Sequence, residues 1–198
     1  MVFTPNYCDC DFRVTGSKKD LQEFKKLAEK PNRYKEENVL NTNNFIQYPK
    51  KFDKLDKVSN NWMDKANKFA KKNEADNWYC GDKLSKKLRD QFVKENGEQP
   101  SDGYNKGGYE WCINNWGTKW GICHPELVNE CDEELEYEFQ SAWSPPMPVI
   151  LKMSKMFPTL SFQLTYFECG VGFNGLYICK AGKEIENQEG NYFGNRGG

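Results

Sequence analysis

Residues 7–15, Tyr-Cys-Asp-Cys-Asp-Phe-Arg-Val-Thr, alternate apolar and polar side chains without interruption. Cys8, Cys10, Phe12 and Val14 fall on one side, with Asp9, Asp11 and Arg13 on the other, so the segment predicts a half-buried strand. Gly16-Ser17 follows, with Ser17 as N-cap and Asp20 three residues on. Leu21, Phe24, Leu27 and Ala28 then lie on one helical face over 18–30, and Pro31 ends it. A strand feeding an amphipathic helix needs further strands beside it.

Those strands are sought downstream. Residues 32–57 are rich in Asn and Lys and predict a long connection, with 45–48 as a short extended piece. Two amphipathic helices follow. Residues 58–73 align Val58, Trp62, Ala66, Phe69 and Ala70; residues 82–96 align Leu84, Leu88, Phe92 and Val93, with Gly97 as the terminator. A turn-rich linker spans 100–108. A short helix is expected at 108–115, an extended piece at 119–123, and a strand at 134–142, where Leu135, Tyr137 and Phe139 alternate with glutamates. Ser144-Pro145-Pro146 opens a helix at 146–157 with Val149, Ile150, Met153, Met156 and Phe157 as its buried stripe. Strands at 159–168 and 174–181 complete the order. This is an α+β fold, a ferredoxin-like split βαβ antiparallel sheet with a helical insertion. The division is 1–31 and 107–198 for the core and 32–106 for the insertion.

The 198 residues suit one domain carrying an insertion, and the 15% aromatic content offsets a mean hydropathy of -0.90. No signal peptide or membrane-spanning stretch is visible, so a cytoplasmic protein of a bacterial host is expected. The eight cysteines are scattered, and in a reducing compartment they read as buried small hydrophobes. The net charge of -1 conceals an asymmetry. Residues 1–106 carry 22 Lys+Arg against 17 Asp+Glu, and 107–198 carry 6 against 12. The acidic surplus is concentrated in 130–138. Such a two-signed chain suits protein binding, where complementary charge speeds encounter.

Several strings resemble one family. Asn6-Tyr7-Cys8 with a strand ending at Gly16, Asn115-Trp116-Gly117-Thr118-Lys119-Trp120, and Ala142-Trp143-Ser144-Pro145-Pro146 resemble the Api-type proteins of phages and prophages. The last part, Phe157-Pro158 through Glu168-Cys169-Gly170-Val171-Gly172-Phe173-Asn174-Gly175, is similar too. The resemblance covers 6–30 and 109–182; residues 32–106 resemble no family. It implies a ferredoxin-like C-terminal domain and a mobile-element origin. The family has no established biochemical role, so the resemblance supplies no catalytic residues.

His124 is the only histidine, which removes most His-based mechanisms. Cys112, Cys123, His124 and Cys131 lack paired metal-ligand spacing and read as structural. Gly170 to Gly175 reads as a hairpin connection rather than a phosphate loop, because no helix follows it. Asp9, Asp11, Glu136 and Glu138 would share the open sheet face. There they could hold divalent metal, or simply form a solvated surface that repels nucleic-acid phosphates. Trp111, Trp116, Trp120 and Trp143 read mainly as packing, with one or two at a binding surface.

The leading expectation is a phage-encoded accessory protein, not an enzyme and needing no cofactor, that binds a host protein stoichiometrically. A defence component such as a CRISPR nuclease is the sharpest form of that target. Its partner-binding residues would be Glu130, Asp132, Glu133, Glu134, Glu136, Glu138, Trp116 and Trp120, the acids mimicking phosphates towards a basic groove. The alternative is a nucleic-acid-binding module using Lys65, Lys68, Lys71, Lys72, Lys86 and Lys87 of the insertion. A divalent-metal enzyme comes last. The sequence selects no oligomeric state.

Overall fold

Burial along Tyr7–Thr15 follows the alternation. Cys8, Cys10, Phe12 and Val14 are buried, and the residues between them are part or wholly exposed. The computed structural model describes residues 6–32, 37–73, 83–100 and 108–191. These residues form two units. The first holds 6–32, 37–48 and 111–191 and contains the sheet; the second holds 49–73, 83–100 and 108–110.

In the sheet unit the order is β1 (Tyr7–Thr15), α1 (Lys18–Ala28), α4 (Tyr109–Trp116, from Trp111 on), β2 (Cys123–Glu130), β3 (Glu134–Ala142), α5 (Met147–Met156), β4 (Ser161–Glu168), β5 (Phe173–Lys180) and β6 (Lys183–Asn191). The two helices between α1 and α4, α2 (Asp53–Lys72) and α3 (Lys83–Asn96), belong to the other unit. The sheet order is β2-β3-β1-β4-β5-β6, with every neighbouring pair antiparallel. The first four positions are the ferredoxin-like arrangement, and β5 and β6 extend it beyond β4.

Helix α1 starts at Ser17, whose hydroxyl accepts from the Asp20 amide at 3.3 Å. Its apolar stripe, Leu21, Phe24 and Ala28, is buried, and with α5 it covers one face of the sheet. Phe24 is the centre of that layer, its ring 5.4 Å from Phe157 and 5.6 Å from both Phe45 and Phe162. Aromatic pairs of this kind contribute about 0.5–1.5 kcal/mol beyond area burial.

Residues 37–48 pack with the sheet, a segment that sequence reading assigns to the insertion. Leu40 and Phe45 enter the core, and Thr42–Asn44 forms a 3-10 turn where an extended piece was expected nearby. Asn44 donates its side-chain amide to the carbonyls of Leu27, Ala28 and Lys30, satisfying the open end of α1. The β4–β5 connection is a hairpin turn, with the buried Glu168 carboxylate accepting from the amides of Gly170 and Val171.

Further expectations change. The extended piece at 119–123 lies ahead of the real strand, β2, and β6 was not foreseen. Met156 of the α5 stripe is 39% exposed at the helix end. Of the cysteines, Cys8, Cys10, Cys112 and Cys179 are buried, but Cys131 and Cys169 are exposed because they lie in turns; Cys80 lies outside the described residues.

The second unit is a helix pair. α2 (Asp53–Lys72) and α3 (Lys83–Asn96) meet through Trp62, Phe69 and Phe92, with ring centroids 5.2–5.3 Å apart. The Trp62 indole donates to the Gly97 carbonyl at 3.0 Å. α2 begins five residues earlier than its periodicity suggests. Ser59, which accepts from Gln99, is buried in its stripe, while Val58 is exposed.

Candidate interaction surface

The antiparallel register sets the acidic side chains of three strands in rows. Glu126 of β2 stands opposite Glu138 of β3, which stands opposite Asp11 of β1. One step along, Glu136 faces Arg13; one step the other way, Gln140 faces Asp9. These residues share the face that α1 and α5 leave to the opposite side of the sheet. Like charges directly opposite one another are unfavourable in a sheet, so this face stores electrostatic repulsion that counter-charges must offset.

Most of the expected acidic stretch carries such counter-charges. Arg13 bonds Glu136 at 2.6 Å and lies 3.1 Å from Glu134. Lys25 reaches Glu130 at 2.6 Å, and Lys18 reaches Asp132 at 2.8 Å. The hydrogen bond from Arg13 holds the Glu136 carboxyl below its ordinary value, and the bonds to Glu130 and Asp132 raise Lys25 and Lys18. Glu126, Glu133 and Glu138 carry no ion pair among the described residues. The uncompensated charge therefore sits at Glu133 in the β2–β3 turn and along the Glu126–Glu138 row.

That row borders a shallow cleft of about 340 Å³ lined by Asp9, His124, Glu126, Glu138 and Gln140. Gln140 ties its ends together, with its amide nitrogen donating to Asp9 Oδ1 at 2.8 Å and its oxygen 3.3 Å from His124 Nδ1. The His124 ring meets Tyr7 edge-on at 6.1 Å. Cys123, the neighbouring thiol, is pushed up to about 11 by burial and is a neutral thiol at physiological pH.

Asp9, Asp11, Glu136 and Glu138 thus do share one face, but Glu136 is committed to Arg13. Among the described residues no three His, Cys, Asp or Glu side chains are grouped to hold a metal ion. Cys112 is buried in the core, whereas Cys131 is exposed after β2, so the Cys112, Cys123, His124 and Cys131 set is dispersed.

The tryptophans divide. Trp116 is in the core, donating to the Ile46 carbonyl at 2.9 Å and packed 5.4 Å from Trp111, which withdraws it from any surface. Trp120 is 42% exposed. Lys119, which the sequence reading passed over, is buried with its ammonium 4.6 Å from the rings of both Trp120 and Trp143. Burial lowers its pKa, and the two ring faces offset part of that cost. Sequence held a signal for this: the Trp-Gly-Thr-Lys-Trp string places a cation beside an indole.

In the helix pair, Lys65, Lys68, Lys71, Lys72, Lys86 and Lys87 are all exposed. None of the six has an ion pair among the described residues. No helix among the described residues is long and apolar enough to cross a membrane.

Comparison with known proteins agrees on the fold. No curated protein matches the chain. The crystal structure of the protein api92 from Yersinia pseudotuberculosis is similar in fold, with a TM-score of 0.52 over 97% of this chain and 99% of that one, at 10% identity. Residues 116–193, from the end of α4 through β6, match the family model described as the ferredoxin-like domain in Api92-like protein.

Proposed function

We propose that the protein acts by stoichiometric binding to another protein, presenting the acidic β2–β3 edge to a basic surface. The observation that supports this is the division of charge on that edge. Glu130 and Asp132 are paired with Lys25 and Lys18, and Glu134 and Glu136 share Arg13, while Glu126, Glu133 and Glu138 carry no ion pair among the described residues. Exposed uncompensated carboxylates on an ordered strand and turn steer a basic partner and fix its register. Within this reading, the phage-protein resemblance favours a phage accessory protein. The target class is then a host defence component such as a CRISPR nuclease, whose nucleic-acid groove would accept the acids.

The test is affinity capture of the tagged full chain from a bacterial host, half of the sample treated with nuclease. The expected result is a nuclease-resistant protein partner that Glu133→Lys/Glu138→Lys releases. Capture of no partner, or of one retained equally by the charge-reversed variant, would sink the reading.

The six lysines of α2 and α3, which carry no ion pair among the described residues, favour a second reading, a nucleic-acid-binding module. It requires a nucleic acid that nuclease removes, whose retention falls steeply with salt and is lost in Lys65→Glu/Lys68→Glu/Lys72→Glu.

A further inference from the structure

The two edges of the sheet are built differently. β2 contains Pro125 and pairs with β3 through two register shifts, between Cys123 and Glu126 and between Leu127 and Asn129. Proline and bulges are the usual protection of an edge against further pairing. β6 has neither device over its last six residues. Beyond a shift at Ile178/Cys179, Glu186–Asn191 pairs residue for residue with Phe173–Ile178. Among the described residues, no backbone hydrogen bond joins the outer edge of β6 to another segment. Nearly every β6 side chain is exposed, Ile185 at 64%.

Charge selects the occupant. β6 carries Glu184, Glu186 and Glu189 against a single Lys183. Two copies paired edge to edge would bring these carboxylates together, whereas a basic strand would set ammonium or guanidinium groups beside them. We infer that β6 is a docking edge that takes an extended, basic segment of a partner chain as a seventh strand along Glu186–Asn191. This edge lies at the opposite end of the sheet from the β2–β3 acids, so the two proposals stand or fall separately.

The experiment is an NMR titration of the full chain with an octapeptide of alternating Lys and Val, and with the same octapeptide N-methylated at every backbone nitrogen. The unmodified peptide should bind and slow amide exchange within 186–191, and the N-methylated peptide, which has no backbone N–H to donate, should not. Glu184→Lys/Glu186→Lys, the first exposed and the second half-buried, should weaken binding by about tenfold. Equal binding of both peptides would reduce the effect to charge alone and overturn the proposal. So would binding without β6 protection, or sedimentation of the free protein as a dimer that Ile185→Lys dissociates.

Discussion

Arg13 faces Glu136 across the β1–β3 pair, and its Nε and Nη2 both reach the same carboxylate oxygen, at 3.0 and 2.6 Å. The Nε also lies 3.1 Å from Glu134, two residues along the same strand. One guanidinium thus offsets the repulsion between two neighbouring glutamates on an acidic face. It also halves the net charge that these two glutamates offer to a partner.

The pair should make stability depend on pH in a defined direction. Glu136 has its folded pKa lowered, first by the Arg13 hydrogen bond. A depressed carboxylate stabilises the fold above its unfolded pKa and loses that contribution as pH falls through the folded value. The window therefore runs downward from about pH 4.3, the usual Glu value. Both side chains are substantially exposed, at 49% and 29%, so screening limits the contribution to about 0.2–1 kcal/mol. Urea midpoints of wild type and Arg13→Met should differ at pH 7 and draw together as pH falls from about 4.3 through the lowered Glu136 value. A gap independent of pH would assign the effect to lost packing.

Gly117 ends α4 with φ +78°, and a Cβ there would lie 2.5 Å from Pro148 Cδ and 3.3 Å from the Pro145 carbonyl. Gly117→Ala meets both a left-handed backbone and a crowded proline ring, for an expected loss of about 2–4 kcal/mol. Thermal unfolding checks it, at roughly 2–4 °C per kcal/mol for a chain of this size. An unchanged midpoint would show that the Pro145–Pro148 turn moves freely away from α4.

Tyr137 is 1% exposed, and its hydroxyl is buried with no hydrogen-bond partner among the described residues. Burial, with Glu29 and Glu130 nearby, raises its pKa well above the usual tyrosine value. Removing an unsatisfied buried hydroxyl relieves its desolvation cost, so Tyr137→Phe should stabilise by about 1 kcal/mol. A loss of stability instead would mean that the hydroxyl is bonded in solution.

Short-range periodicity by itself determined β1, α1, β3, α5, β4 and β5, because each of these has one buried and one wetter face within a dozen residues. It also put Asp9, Asp11, Glu136 and Glu138 on one face, since alternation assigns sides without knowledge of the partner strand. Tertiary structure alone decided β6, and it placed β2 beyond the extended piece expected at 119–123. Both are edge strands of weak pattern: β2 half-buries only Cys123, Pro125 and Leu127, with a proline among them that reads as a strand breaker, and β6 exposes nearly every side chain. It also decided which acids are neutralised. Lys25 and Glu130 are 105 residues apart in the chain, and their meeting depends on how α1 packs over the sheet, a relationship that no local pattern encodes.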